Sequence, residues 1–383
     1  MNRVLAFMLL FFFVSGLFTT TYSSASASEI VENSWCTKKS MSQERSGLGV
    51  VAVDGKIYAI GGYAADGKIL GLNERYDPET DTWLFMASMP TPRGSFAIAA
   101  YEDKIYCVGG FSNYIIDDVG IISYVACRIT EVYDTTTNSW DTKASMQINV
   151  GSQACVVNGK IFVLTSSDLY TYGDLYMYDP ITDIWIQKTS IPKEPYTQSV
   201  NMAYYMISAA TFDEILFSGL FSSGAQEAIM YNPETDMWRQ IANPPYGIFY
   251  DSAIATTGVY TPQKIYAIGI TQNGVYDPIN DTWSTIDAMP TIRRDFGVAV
   301  SDDTLYVIGG YRNYGGYAGY EITTFSVNEQ YVPIGYSNAL LSGTKYFLNN
   351  TTIATVVILL IVGVTGGLVF YFQKKIDVMG DLA

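Results

Sequence analysis

The sequence predicts an all-β fold: a six-bladed β-propeller closed by its N-terminal strand, followed by one C-terminal transmembrane helix. Three observations predict it. The first is a strand-sized phrase, "GKIYAIGGY" at 55–63, which returns as "DKIYCVGGF" at 103–111 and "DTLYVIGGY" at 303–311. Weaker echoes are "GKIFVLTSS" at 159–167, "DEILFSGLF" at 213–221 and "QKIYAIGIT" at 263–271. The second is a turn phrase, "YDPETDTW" at 76–83, with counterparts at 133–140, 178–185, 231–238 and 276–283. The third is an uncharged apolar run, Ile353–Phe372.

Taken in chain order, residues 1–27 carry a basic Arg3, the apolar stretch "VLAFMLLFFFVSGLF" and an Ala25-Ser26-Ala27 cleavage pattern, the layout of a signal peptide. The folded body is expected over 28–336. Its first phrase, "NSWCTKKSM" at 33–41, reads as the fourth strand of a unit whose other three strands are missing. Four-stranded units follow. In the second these are "SFAIAAY", "KIYCVGG", "RITEVYD" and "WDTKASM". Within the turn phrase Pro sets φ, and Asp or Asn bonds the nearby backbone. Tyr and Trp then mark the ends of the third and fourth strands. Successive Trp residues lie 45 to 57 residues apart, which suits propeller blades. The last unit supplies two strands and then "FSVNEQYVP" at 325–333, with no Trp strand after it. The N-terminal strand is therefore expected to complete blade 6 and hide its open edge. Residues 337–352 read as a stalk. The twenty residues 353–372 would span ~30 Å as a helix. Gln373-Lys374-Lys375 opens a cytoplasmic tail, 373–383. The expected location is the cell membrane, single-pass, with the propeller extracellular.

A formal charge of −15 argues against nucleic acid and anionic bilayer surfaces as general partners. The chain has no histidine. That excludes Ser-His-Asp and Cys-His catalysis, histidine-held zinc or copper, and the usual general base near neutral pH. Carboxylate, Tyr and Lys chemistry stay open, and neither a cofactor nor a metal is implied.

The Gly-Gly after the second strand, the Tyr-Asp turn and the spaced Trp resemble kelch repeats and run through nearly the whole body. Blades 3, 4 and 5 depart by losing one or both glycines. With its predicted anchor, the chain resembles kelch-repeat surface proteins of prokaryotes, archaea among them. The resemblance implies a kelch-type propeller that presents one face to an extracellular protein or an anionic glycan, as a binding module. Secreted relatives include galactose-oxidase-like copper enzymes, whose histidine ligands are missing here, and sialic-acid mutarotases. The alternative is therefore a sugar-modifying enzyme of mutarotase type acting on an acidic sugar. On the same blade map, Cys107 and Cys127 fall on neighbouring strands, where a disulfide is expected. Cys36 and Cys155 lie across the ring from each other and are read as two free, buried thiols.

Aligning the units on their second strands places Arg45, Arg93 and Arg293 at one equivalent point just ahead of the innermost strand, where blades 3 and 5 carry Asn149 and Tyr250. Ring closure makes blades 6, 1 and 2 adjacent, so the arginines are expected as a basic arc at a channel mouth. Tyr311, Tyr314 and Tyr317 lie on a loop of the same rim, and such a surface would grip an anionic sugar. The same arginines could instead bond loop carbonyls between blades. Tyr58, Tyr106, Tyr266 and Tyr306, and the Trp series, are assigned to packing. Asn280, Asn349 and Asn350 head N-glycosylation sequons.

Overall fold

The turn phrases organise the molecule. In blade 1, Gly49–Val53 turns through Asp54 and Gly55, both at positive φ (48° and 69°), into Lys56–Ile60. Asp-Gly suits such a turn because both residues tolerate the left-handed region. Lys56–Ile60 pairs with Asn73–Asp77, and that strand with Thr82–Phe85, all antiparallel. A computed structural model of the chain describes residues 31–336, apart from 117–121, 147–153, 166–173, 193–203, 212, 221–225, 246–249 and 317–318. The predicted signal peptide, stalk, transmembrane helix and tail lie outside the described residues. So do Asn149, Tyr317, Asn349 and Asn350. Among the described residues no helix is long and apolar enough to cross a membrane.

The same four-stranded sheet recurs five more times. Blade 2 is Ala97–Tyr101, Lys104–Val108, Thr130–Asp134 and Ser139–Lys143; blade 3 is Ala154–Val157, Lys160–Thr165, Asp174–Asp179 and Ile184–Gln187. Blade 4 is Tyr204–Thr211, Glu214–Leu220, Gln226–Asn232 and Met237–Gln240; blade 5 is Tyr250–Ala255, Ile265–Gly269, Asn273–Asp277 and Thr282–Ile286. Blade 6 takes Gly297–Ser301, Thr304–Ile308 and Asn328–Val332 from one end of the propeller sequence and Ser34–Lys38 from the other. Trp35 faces Tyr331 across that closing ladder, as the sequence predicts.

The core lies between blades. Six apolar clusters are found among the described residues, each joining one pair of neighbours. Val50, Ile57 and Tyr76 of blade 1, for example, pack on Ala299, Tyr306 and Ile308 of blade 6. The tyrosines assigned to packing do this work. Tyr58 meets Tyr133, Tyr106 meets Tyr178, Tyr306 meets Tyr76 and Tyr266 meets Tyr331, each across a blade boundary at about 6 Å between rings.

The turn phrase also clasps each blade to its neighbour. Tyr76 donates its hydroxyl to Asp81 Oδ1 (2.7 Å), an oxygen that also accepts Lys39 N–H (2.8 Å). Trp83 Nε1 donates to the carbonyl of the same Lys39 (2.7 Å). Equivalent indole bonds run from Trp140 to Ala87, Trp185 to Ala144, Trp238 to Thr189, Trp283 to Ala242 and Trp35 to Asp287. The residue receiving the tyrosine hydroxyl is left-handed every time: Asn33, Asp81, Asn138, Asp183, Asp236 and Asp281, with φ between 51° and 57°. Asn and Asp adopt that conformation more readily than other residues with a side chain.

One expectation fails. Cys107 and Cys127 are both buried and free. The segment between them folds into its own hairpin, Phe111–Ile116 with Ile122–Ala126, so the third strand starts only at Thr130. Glu131 thereby stands opposite Cys107, while Cys127 stays in the connection with its Sγ taking the Ile129 amide (3.5 Å). Burial pushes the Cys107 thiol up to about 12. Cys36 and Cys155 are also free. Cys155 is buried, as expected, but Cys36 is exposed, because it lies on the outermost strand of blade 6, which is paired on one side only.

Removing Ser34–Lys38 bares the edge of Asn328–Val332 and deletes the Trp35 bond to blade 5. The truncated chain is expected to lose its single cooperative melting transition in calorimetry and to self-associate in light scattering.

Candidate functional site

Strand direction alternates within a blade, so the loops leading into the innermost strands and those joining the second and third strands emerge at one end. Short two-way ladders tie them together there. Ser46 pairs with Tyr63, Gly94 with Phe111 and Arg294 with Tyr311, at N···O distances of 2.7 to 3.1 Å. These pairings need the preceding glycines. Gly62, Gly110 and Gly310 have φ of 86° to 99°, and a Cβ on any of them would fall within 2.6–2.7 Å of a backbone oxygen of Ser46, Gly94 or Arg294.

The three arginines reach this end by their backbones alone. Their side chains turn inward and are 0 to 1% exposed, so the expected basic arc is not a ligand surface. Each is enclosed in its own blade with a glutamate of the third strand: Arg45 with Glu74, Arg93 with Glu131, Arg293 with Glu329. Arg293 also donates to the carbonyls of Gly309, Thr291 and Val307 (2.8–2.9 Å). Glu329 Oε1 is taken by the amide and hydroxyl of Thr291 (3.1 and 2.6 Å). Thr91 repeats that capping on Glu131, and Ser42 supplies an amide to Glu74. Burial pulls Arg45 and Arg293 down from the usual guanidinium range, against the opposing pull of their glutamates. Only Arg293 also uses its Nε; the Nε of Arg45 and of Arg93 is buried without a partner, but all three forks are turned into their own blades and fasten loops there.

The sequence contained a sign of this pairing. Wherever a unit has the arginine, a glutamate stands two residues before the turn tyrosine: Glu74, Glu131 and Glu329. Units carrying Asn149 and Tyr250 have Tyr176 and Gly274 there instead. Of Tyr250 and Tyr314 only the backbone is described, on Tyr250–Ala255 and Tyr311–Gly316. Tyr311 does reach the mouth, through its ladder with Arg294.

What lines the mouth lies one and two residues beyond the arginines. Gly47, Ser95 and Asp295 occupy equivalent left-handed positions, with φ of 51° to 59°. A hydrogen-bonded relay crosses four blades through them. Asp295 N–H donates to Asp251 Oδ2 (2.7 Å), Gly47 N–H to Asp295 O (2.8 Å), and Ser95 N–H to Gly47 O (2.8 Å). The Tyr63 ring lies over Gly94 so closely that a Cβ there would collide with it. Tyr63, Tyr124 and Phe111 form an aromatic run, with centroids 5.6 to 5.9 Å apart.

Below the mouth lies a channel of about 490 Å3, walled among the described residues by apolar side chains such as Val50, Ile98, Val156, Ile254 and Val298. Among the described residues, charge lies at its rim and not on its wall. Burial pushes Asp251 up to about 6, helped by the Asp295 charge and opposed by the Asp295 amide and Arg294. Burial likewise raises Asp295, with Arg294 opposing. Tyr63 is pushed up to about 12 by burial, and Tyr311 is raised by burial and then by Asp295. One carboxylic acid titrating near neutrality thus sits beside a guanidinium and phenols at a concave mouth. Such a set can exchange a proton or hydrogen-bond a polar ligand. Among the described residues, no cluster of three or more acids or cysteines could hold a metal.

Arg293→Ala leaves Glu329 buried without its partner and should lower the unfolding free energy in denaturant titration by about 3–5 kcal/mol. Arg294→Ala, on the solvent side of the same turn, should change it by less than about 1 kcal/mol. Asp251 gives a pH test. Its folded pKa lies above the ordinary carboxylate value of about 4, so the folded state holds the proton more tightly than the unfolded chain. Its contribution therefore makes stability fall as pH rises from about 4 through about 6. Asp251→Asn keeps an acceptor for the Asp295 amide and should flatten that slope in melts between those pH values.

Comparison with known proteins agrees with the architecture. The Kelch motif matches residues 44–90 and 92–147. Human Kelch-like protein 23 is 27% identical over 160 residues, covering 39% of this chain and 26% of its own. An F-box/kelch-repeat protein of Arabidopsis thaliana is 30% identical over 180 residues, covering 46% of this chain and 48% of its own. Kelch-like protein terF of Aspergillus terreus is 32% identical over 178 residues, covering 41% and 38%. The chain thus spans about a quarter to a half of the length of these relatives. Among solved structures, that of YjhT is similar in fold, with a TM-score of 0.55 at 13% identity, over 74% of this chain and 99% of YjhT. The protein carries kelch repeats and folds as a kelch-type, six-bladed propeller.

Proposed function

We propose that this propeller is an interaction module displayed at the cell surface, held there by the apolar segment 353–372 after removal of residues 1–27. The observation that carries this reading is the pair of hairpins rising beside the channel mouth. Phe111–Ile116 with Ile122–Ala126 stands on blade 2, and Tyr311–Gly316 with Gly319–Thr324 on blade 6. They leave Tyr114, Ile115, Tyr124 and Ile322 between 41% and 61% exposed. Large apolar and aromatic side chains held in water by hydrogen-bonded hairpins are the kind of surface that protein partners bury. Kelch propellers as a class serve protein–protein contact, which supports the same reading. An extracellular protein is therefore the favoured partner. A glycan would have to bind without the help of Arg45, Arg93 or Arg293.

A second reading, sugar modification of mutarotase type, draws support from the mouth. Asp251 could move a proton near neutral pH, and Arg294, unlike the three buried arginines, lies at the mouth where an acidic sugar could reach it. The exposed side chain of Asn280 on an outer turn suits a glycosylated, extracellular surface.

The test uses the full chain in detergent against candidate surface proteins and a panel of neutral and anionic glycans. Tyr114→Ser with Ile115→Ser should weaken protein binding about tenfold or more with an unchanged melting temperature. Anomer exchange of an acidic sugar, lost in Asp251→Asn and unaffected by the hairpin changes, would favour the enzyme reading instead.

A further inference from the structure

The hairpins stand at one end of the propeller, and the chain leaves at the other. The third strand of blade 6, Asn328–Val332, runs away from the hairpin end, so the polypeptide departs at Tyr336 on the opposite face. A built feature waits there. Between the first two strands of blade 5, residues 256–264 make an enlarged turn, closed by Thr256 Oγ1, which accepts Lys264 N–H (2.9 Å) and donates to Pro262 O (2.9 Å). Asp303 of blade 6, fully buried, grips this turn through four hydrogen bonds. Its carboxylate takes the amide and hydroxyl of Thr257 (2.5 and 2.7 Å) and the amides of Tyr260 and Thr261 (2.6 and 3.1 Å).

That much order is spent on presenting apolar tips to solvent. Val259 is 67% exposed, and Ile279, on the outer turn of the same blade and face, 78%. The turn packs on the departing chain: Tyr260 and Tyr336 rings lie 5.9 Å apart, and Gly335 rests against Pro262. Ile334, in the same exit, is 59% exposed. Val259, Tyr260, Ile279, Ile334 and Tyr336 thus collect two tyrosines and three large aliphatic side chains where the chain exits.

We infer that this corner of blades 5 and 6 docks on the lipid surface. The inference rests on the reading of 353–372 as a membrane anchor. Sixteen residues separate Tyr336 from that segment, and at about 3.3–3.6 Å per residue their fully extended reach is about 55 Å. A shorter, compact tether brings the exit face to the bilayer and turns the hairpin face away from it. Tyrosines beside aliphatic side chains suit the headgroup boundary, where each ring keeps its hydroxyl wet. The net charge of −15 makes an electrostatic attraction to anionic lipid the wrong kind of contact. The docking is apolar and aromatic, and indifferent to salt.

The experiment places the full chain in phosphatidylcholine nanodiscs. A nitroxide is attached at Val259→Cys, Ile334→Cys or, on the hairpin face, Ile115→Cys, each in a Cys36→Ser background. The expected result is an oxygen-over-nickel collision ratio about threefold or more higher at the first two sites than at the third, unchanged in high salt. Equal ratios overturn the inference, as does spin–spin coupling between two Val259→Cys chains, which would mark a second copy as the occupant. Vesicle flotation after an alkaline wash separates the two failures. A chain that floats with solvated labels keeps its anchor and loses the docking face; a chain that does not float loses both.

Discussion

Six copies of one clasp hold the ring, and every other feature is positioned by it. A tyrosine hydroxyl, a left-handed Asp or Asn and a tryptophan indole act together on a residue one or two places past the end of the neighbouring blade's outer strand. The carboxylate or amide oxygen accepts that residue's N–H while the indole N–H donates to its C=O. Each bond contributes on the order of 1 kcal/mol net. Their larger effect is on specificity, because a blade shifted by one residue would lose both partners of the clasp at once. The same geometry uses Trp35 and Asn33 from the chain's other end, so closing blade 6 is one more repeat of the clasp and not a separate device.

A stiff outer ring lets the inner strands stay simple. Their channel-facing residues are small or β-branched and mostly apolar. Polarity is pushed to the two ends, where loops can be lengthened at little cost to the sheets. Blades 1, 2 and 6 fasten their loops with an enclosed arginine–glutamate pair. Desolvating two ions is expensive, and hydrogen bonds to carbonyls, amides or hydroxyls offset it, most fully at Arg293 and less so at Arg45 and Arg93, whose Nε has no partner. Once those arginines serve inside the blades, the mouth takes its character from Asp251, Arg294, Asp295 and the tyrosines. It becomes a weakly acidic, titratable rim instead of a basic one.

The two ends of the propeller then differ in kind. One carries hairpins and the rim; the other carries the chain's exit and a turn fastened by Asp303. Alternating strand direction forces that separation, since a third strand that begins at the hairpin end must finish at the other.

Much of the fold was legible in the sequence because its causes are local and repeated. Turn chemistry, the Gly-Gly steps, Tyr–Trp spacing and the orphan strand at 33–41 determined four-stranded units, their number and their mode of closure, each by a short-range requirement that recurs. The site was less legible. Alignment correctly put Arg45, Arg93 and Arg293 at one point of the repeat, but a register position does not say which way a long side chain turns. That was decided by Glu74, Glu131 and Glu329, which lie 29 to 38 residues further on and come within reach only when the third strand pairs. Likewise Cys107 and Cys127 lie on adjacent segments, and the inserted hairpin alone moved them out of register. Sequence by itself determined the scaffold, since each strand and turn answers to its near neighbours. Tertiary structure decided which charges are enclosed and which face water, because burial depends on what the rest of the ring brings alongside.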